Sequence, residues 1–236
     1  MHVVFRESHG LEESETPFDL AQDPADLVVL SFSDSDLGAF EAGWHRAGGK
    51  LPSLRLANLV ALKHPLSVDT YAEQTLEGAK GILVRLIGGE SYWSYGLATL
   101  QDLARRKGIA LAVLPADGRP DDRLDELSTL PVSTLRRLQS LCEAGGAVAA
   151  QAALAQLSLA AGLYAGPVIG LKSTPEHGFY DPDQGVVPSV DPDGKPLVLV
   201  SFYRSYLTAA DTVPVDALIA GLRQRGYAAY GVFAAS

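Results

Sequence analysis

Three stretches of the chain, 27–32, 109–114 and 197–203, are almost continuously apolar and of strand length. A fourth, 81–87, is interrupted only by Arg85. Such runs predict strands buried on both faces, as in a parallel sheet with helices packed above and below. Residues 54–57 form a weaker strand, and 227–233 another. Helical stretches lie between them. Ser33-Asp-Ser-Asp36 supplies N-cap candidates for a helix running to about Ala47, where Gly48-Gly49 stops it. Ser67 reads as the cap of a helix over 68–77, ended by Gly78. A helix over 92–107 places Leu97, Leu100 and Ala104 on one face. Its last turn carries Arg105-Arg106-Lys107, which suits the negative end of the helix dipole, and Gly108 ends it. Three more helical stretches follow over 121–127, 132–143 and 147–161.

The pattern then changes. Residues 166–196 hold six prolines and five glycines, enough to read as a linker, a long loop or a lid. Beyond it the alternation resumes as strand, helix (211–224) and strand. The predicted fold is α/β: a Rossmann- or flavodoxin-like, mostly parallel sheet with flanking helices and a helical tail over 1–165. The linker follows over 166–196, then the start of a second α/β unit over 197–236. One helix cannot cover both faces of a parallel sheet, so that last unit is expected to be truncated or completed by something else.

Length and charge narrow the function. The 236 residues are 47% hydrophobic and 20% charged, a globular composition. The net charge of −9 disfavours nucleic acid and anionic membranes as partners. Seven carboxylates against Arg6 make the first 26 residues an acidic lead-in, with a possible short edge strand over 3–5. No apolar run reaches the ~18 residues of a membrane span. No secretory signal is visible, and Cys142 is the single cysteine, so the expected compartment is the cytoplasm. No GxGxxG follows a strand, and no GxxxxGK[ST], HExxH, GxSxG or CxxC occurs.

In an open α/β sheet, ligands bind beyond the carboxyl ends of the strands. There the sequence Arg85-Leu-Ile-Gly-Gly-Glu-Ser-Tyr-Trp-Ser-Tyr95 stands out. Gly88 and Gly89 allow a ligand close to backbone amides. Tyr92, Trp93 and Tyr95 could form a flat apolar wall, and Arg85 could grip a carboxylate. That set suits a large planar ligand with peripheral acids. The structural alternative puts Trp93 in the core and pairs Arg85 with Glu90. Tyr203 and Arg204, in Phe202-Tyr-Arg-Ser-Tyr206, repeat the theme at the late strand. Asp211 and Asp216 suggest capping of the late helix rather than anion binding there. His64 is the candidate metal ligand by position; before Pro65 it could equally be a loop hydrogen-bonder. Ser33–Asp36 could hold a hard cation, though an N-cap explains it more simply. No residue is assigned a catalytic role.

An ordered set of segments resembles the amino-terminal region of the large subunit of aerobic cobaltochelatase, the CobN family, within the wider magnesium-chelatase H group. The segments include Pro24-Ala-Asp-Leu-Val-Val-Leu-Ser-Phe-Ser-Asp-Ser-Asp-Leu37, Leu51-Pro-Ser-Leu-Arg-Leu-Ala-Asn-Leu59 and His64-Pro-Leu-Ser-Val-Asp69. Val84-Arg-Leu-Ile-Gly-Gly-Glu-Ser-Tyr-Trp-Ser-Tyr-Gly96, Arg105-Arg-Lys-Gly-Ile-Ala110, Leu114-Pro-Ala-Asp-Gly118, Leu127-Ser-Thr-Leu-Pro131 and Pro214-Val-Asp-Ala-Leu218 continue it. The resemblance implies a role in cobalamin (vitamin B12) biosynthesis. There Co2+, as substrate metal, enters hydrogenobyrinic acid a,c-diamide, a tetrapyrrole. It implies ATP and Mg2+ on separate AAA+ subunits of the CobS and CobT type, and the remainder of the large subunit as a further partner. This segment would contribute to tetrapyrrole binding or subunit docking, with the isolated chain inactive; the alternative is a non-catalytic protein-interaction head. A receiver-like domain fits less well, because no Asp ends the 81–87 strand. The sequence departs from the family at Ala210-Asp-Thr212, where Gly-Asn-Thr is usual.

Overall fold

The computed structural model describes residues 16–170 and 173–235. The 3–5 strand and most of the acidic run lie outside them. Two compact units emerge, each assembled from three stretches of chain. One takes the described residues up to 32, then 52–136 and 157–163; the other takes 33–51, 137–156 and 164–235.

The first unit is built on β1 (Leu27–Ser31), β2 (Leu54–Asn58), β3 (Gly81–Leu86) and β4 (Ala110–Pro115). All pair in parallel, in the order β2-β1-β3-β4. β1, β3 and β4 are buried at every position, as their apolar runs required. One face of the sheet, with Val28, Leu30, Ile82 and Val84, packs on α2 (Pro65–Tyr71) and α3 (Ser94–Lys107). α4 (Asp122–Leu127) adds Leu124 and Leu127 to this core and is capped by the Asp121 carboxylate. Gly108, at φ +69°, closes α3 where the sequence placed its stop. α2 starts earlier than expected. His64, not Ser67, is its N-cap, and Pro65 fits the first turn. The helix loosens into a wide π-type turn over Ala72–Leu76.

In the second unit, α1 (Asp34–Arg46) is capped by Ser33, whose hydroxyl accepts from the Asp36 amide. That is the capping role of the Ser-Asp-Ser-Asp cluster. Gly43 lets α1 approach α6 (Gly146–Ala160): a Cβ there would lie 2.6 Å from the Gln151 nitrogen. α5 (Val132–Ala144) runs from the first unit into the second. Residues 166–196, expected as a linker or loop, contain a hairpin of β5 (His177–Asp181) and β6 (Gly185–Val187). Asp181 makes the turn, its Oδ1 accepting from the Asp183 and Gln184 amides. β7 (Leu197–Tyr203), α7 (Arg204–Thr208), α8 (Val213–Gln224) and β8 (Ala228–Ala234) follow. The sheet order is β6-β5-β8-β7, with β7 parallel and β5 antiparallel to β8. α8 covers one face through Val215 and Ile219, against Tyr180, Ala229 and Phe233.

Candidate functional site

The order β2-β1-β3-β4 reverses direction between β1 and β3, the place where an open α/β sheet forms its ligand crevice. Ser31 and Arg85 are register partners there, at the carboxyl ends of the two strands. Both are buried. Arg85 alternates with Val84 and Leu86, so it sits on the face of β3 turned away from α2 and α3.

Trp93 lies on the other side. It is buried in the core with α2 and α3, and its indole N–H donates to the Leu62 carbonyl at 2.8 Å. The sheet therefore separates Arg85 from Trp93. Gly88 and Gly89 turn the chain after β3 with φ of +85° and +78°. The Tyr92 ring lies on Gly88, where a Cβ would be 2.3 Å from it, yet Tyr92 remains 65% exposed. The Tyr95 hydroxyl donates to the Asp69 carboxylate at 2.8 Å, a bond that raises the phenol pKa. Each aromatic ring thus has a separate environment, and they do not make one wall. Glu90 pairs with Arg123 at 2.7 Å, rather than with Arg85; this bond holds the Glu90 carboxyl below its ordinary value.

An open cleft of about 420 Å³ lies at the carboxyl ends of β3 and β4, lined by Leu86, Gly89, Pro115 and the 117–123 segment. Of the proposed ligand contacts only Gly89 lines it. Tyr203 and Arg204 belong to the second unit. Tyr203 is 63% exposed. The Arg204 guanidinium donates to the carbonyls of Thr174 and Pro175, at 2.8 and 2.9 Å, and so fastens the loop before β5. Residue 212 precedes α8, and its hydroxyl donates to Asp216, which also accepts from Tyr180. No side chain caps the first amides of α8, so the capping expected of Asp211 and Asp216 is not seen; Asp216 instead ties Thr212 and Tyr180 together.

The His64 Nδ1 accepts from the Leu66 amide at 3.1 Å, so one ring nitrogen serves the start of α2. Among the described residues no three His, Cys, Asp or Glu side chains gather into a metal site. No described helix is long and apolar enough to cross a membrane. The sequence reading passed over Asp181 and Arg223, a 2.6 Å ion pair beneath the second sheet. The Asp-Pro turn signal was the clue to Asp181; the partner 42 residues away left none.

No family model matches the chain. It is 35% identical, over 251 aligned residues, to the aerobic cobaltochelatase subunit CobN of Sinorhizobium sp., covering 100% of this chain and 19% of that protein. The chain is a relative of CobN over its whole length. CobN of Pseudomonas aeruginosa is 34% identical over 226 residues, with 90% of this chain and 17% of that protein covered. The chain thus spans about a fifth of the length of the CobN proteins it matches. In fold it is similar to the catalytic subunit of cobaltochelatase from Mycobacterium tuberculosis, with a TM-score of 0.67 at 23% identity over 89% of this chain and 16% of that one. The CobN resemblance and the α/β fold read from the sequence are borne out.

Proposed function

We propose that this chain acts as the docking and scaffolding segment of a cytoplasmic cobaltochelatase large subunit in cobalamin biosynthesis. The similarity to CobN along the whole of this chain supports the assembly; the separation of Arg85 from Trp93 by the sheet supports the docking role within it. In this reading Co2+ is inserted into hydrogenobyrinic acid a,c-diamide elsewhere in the large subunit. ATP and Mg2+ act on AAA+ subunits of the CobS and CobT type. The isolated chain inserts no metal.

The exposed Tyr92 beside the Gly88-Gly89 turn favours a second reading. Here the tetrapyrrole edge rests at the carboxyl end of β3, on Gly88, Gly89, Tyr92 and Tyr95. Titration with hydrogenobyrinic acid a,c-diamide, read by tryptophan fluorescence, separates the two. The docking role predicts no saturable quenching by the folded chain. Saturable quenching abolished in Tyr92→Ala would move the assignment to the tetrapyrrole. A CobN-length enzyme lacking this segment should lose cobalt insertion; unchanged insertion would overturn both readings.

A further inference from the structure

β7 has the sequence of a strand buried on both faces but the burial of one covered on a single face. Leu197-Val-Leu-Val-Ser-Phe-Tyr203 is as apolar as β1, β3 and β4, whose residues are all buried. In β7 exposure alternates instead. Val200 and Phe202 pack on the α8 core and Val198 shares their face by alternation, whereas Leu197, Leu199 and Tyr203, at 43%, 44% and 63%, and Ser201 are exposed. β7 is also an edge strand, with β8 as its one neighbour among the described residues.

The first unit shows how such a module is completed. β1 pairs in parallel with β2, the next strand in the chain, and its second edge is taken by β3, also in parallel. β7 and β8 repeat the parallel pairing, with β7 in the place of β1. Handedness then fixes the covering layer. α8 occupies one face because the β7-to-β8 crossover runs in one direction along the sheet. A right-handed crossover from β8 back past β7 must carry its helix to the opposite face. That face bears Leu197, Leu199, Ser201 and Tyr203.

We infer that the free edge of β7 accepts a parallel strand, and its open face an apolar helix, from the four-fifths of a CobN-length polypeptide that this chain does not span. This deepens the docking reading and rests on it. The row is Leu197, Leu199, Ser201 and Tyr203, three of its four side chains largely apolar; a charged partner would not cover it, and a strand alone would leave it in water.

The test fuses to this chain the segment of about 40 residues that follows the aligned region in Sinorhizobium CobN, roughly the length of one helix and one strand. Amide hydrogen exchange is then read over 197–203. The fusion should slow β7 exchange about ten-fold relative to the chain alone. Leu199→Lys should remove that slowing while leaving the melting temperature of the unfused chain unchanged, since its side chain lies outside the α8 core. Unchanged β7 exchange in a folded fusion would overturn the inference. So would protection of β7 in the unfused chain that rises with protein concentration, which assigns the edge to a second copy. The readout is independent of cobalt insertion, so its failure leaves the cobaltochelatase reading to its own test.

Discussion

The Trp93 indole does two things at once. Its ring fills the core beside α2 and α3, and its N–H satisfies the Leu62 carbonyl. The ring also lies over Gly96, where a Cβ would come within 2.1 Å of it. Trp93→Phe removes the donor and leaves a buried carbonyl without its partner, a cost of about 1–3 kcal/mol. Gly96→Ala improves helix propensity by about 1 kcal/mol but must displace the indole, an overpacking cost of about 1–3 kcal/mol. Both variants should unfold at lower denaturant than the parent in chemical melts, with unchanged slope. A more stable Gly96→Ala would show that the indole moves aside freely. Neither substitution is expected to alter ligand binding in the docking reading. The sequence placed Trp93 beside Gly88-Gly89 and within reach of Arg85, but linear nearness along a strand and its following turn says nothing of which face each side chain takes. The period-two alternation of β3 was the available signal: it sends Arg85 and Leu86 to opposite faces, and Trp93 follows Leu86.

The strands buried on both faces were legible because burial on both faces demands an uninterrupted apolar run. The β5–β6 hairpin was not. Its two strands are five and three residues long, half exposed, and separated by an Asp-Pro turn inside a Pro/Gly-rich stretch. Nothing local distinguishes them from loop; the pairing of β5 with β8, more than 50 residues on, makes them strands. Two side-chain anchors hold the hairpin down. The Tyr180 hydroxyl donates to Asp216 on α8, and Asp181 pairs with Arg223 on the same helix. Burial pushes the Asp181 carboxyl up. The Arg223 guanidinium and the Asp183 and Gln184 amides outweigh burial and hold it below its ordinary value of about 3.8. A carboxyl lowered in the folded state contributes stability above its unfolded value, and loses it as pH falls through the folded one. The stability gap between the parent and Asp181→Asn should therefore be full at neutral pH. It should narrow as pH falls below about 3.8. Parallel urea melts across pH measure this; a gap independent of pH would leave the turn amides, not the ion pair, as the anchor.

The chain is not cut where its composition changes. Read as a sequence, residue 165 is a natural end: an α/β array before it, a Pro/Gly-rich stretch after it. Contacts divide the molecule differently. α1 and the first two-thirds of α6 belong with 164–235, although β1 and β2 on either side of α1 belong to the other unit. Specific bonds enforce that grouping. Arg46, at the end of α1, donates to the Gln151 side chain and, at 2.7 Å, to the Ile169 carbonyl. Gly145, at φ +67°, lies so close to Thr208 that a Cβ would meet it at 2.6 Å. The Lys50 carbonyl accepts from the Gly166 amide. A fragment ending at 165 keeps every strand of the first sheet and the Arg46–Gln151 pair, but loses Gly166, Ile169 and Thr208, which hold the end of α1 and the start of α6. Such a fragment should melt at least about 5 °C below the full chain, a shift expected of a loss of a few kcal/mol in a domain this size. Amide exchange should accelerate first in 34–46 and 146–156, while β1, β3 and β4 stay protected to the global limit. Equal melting temperatures and equal exchange in α1 would make 1–165 autonomous and return the boundary to the place where the composition shifts. α1, between two strands of the first sheet, and most of α6 are held by bonds to 164–235, and those bonds are what the comparison reads.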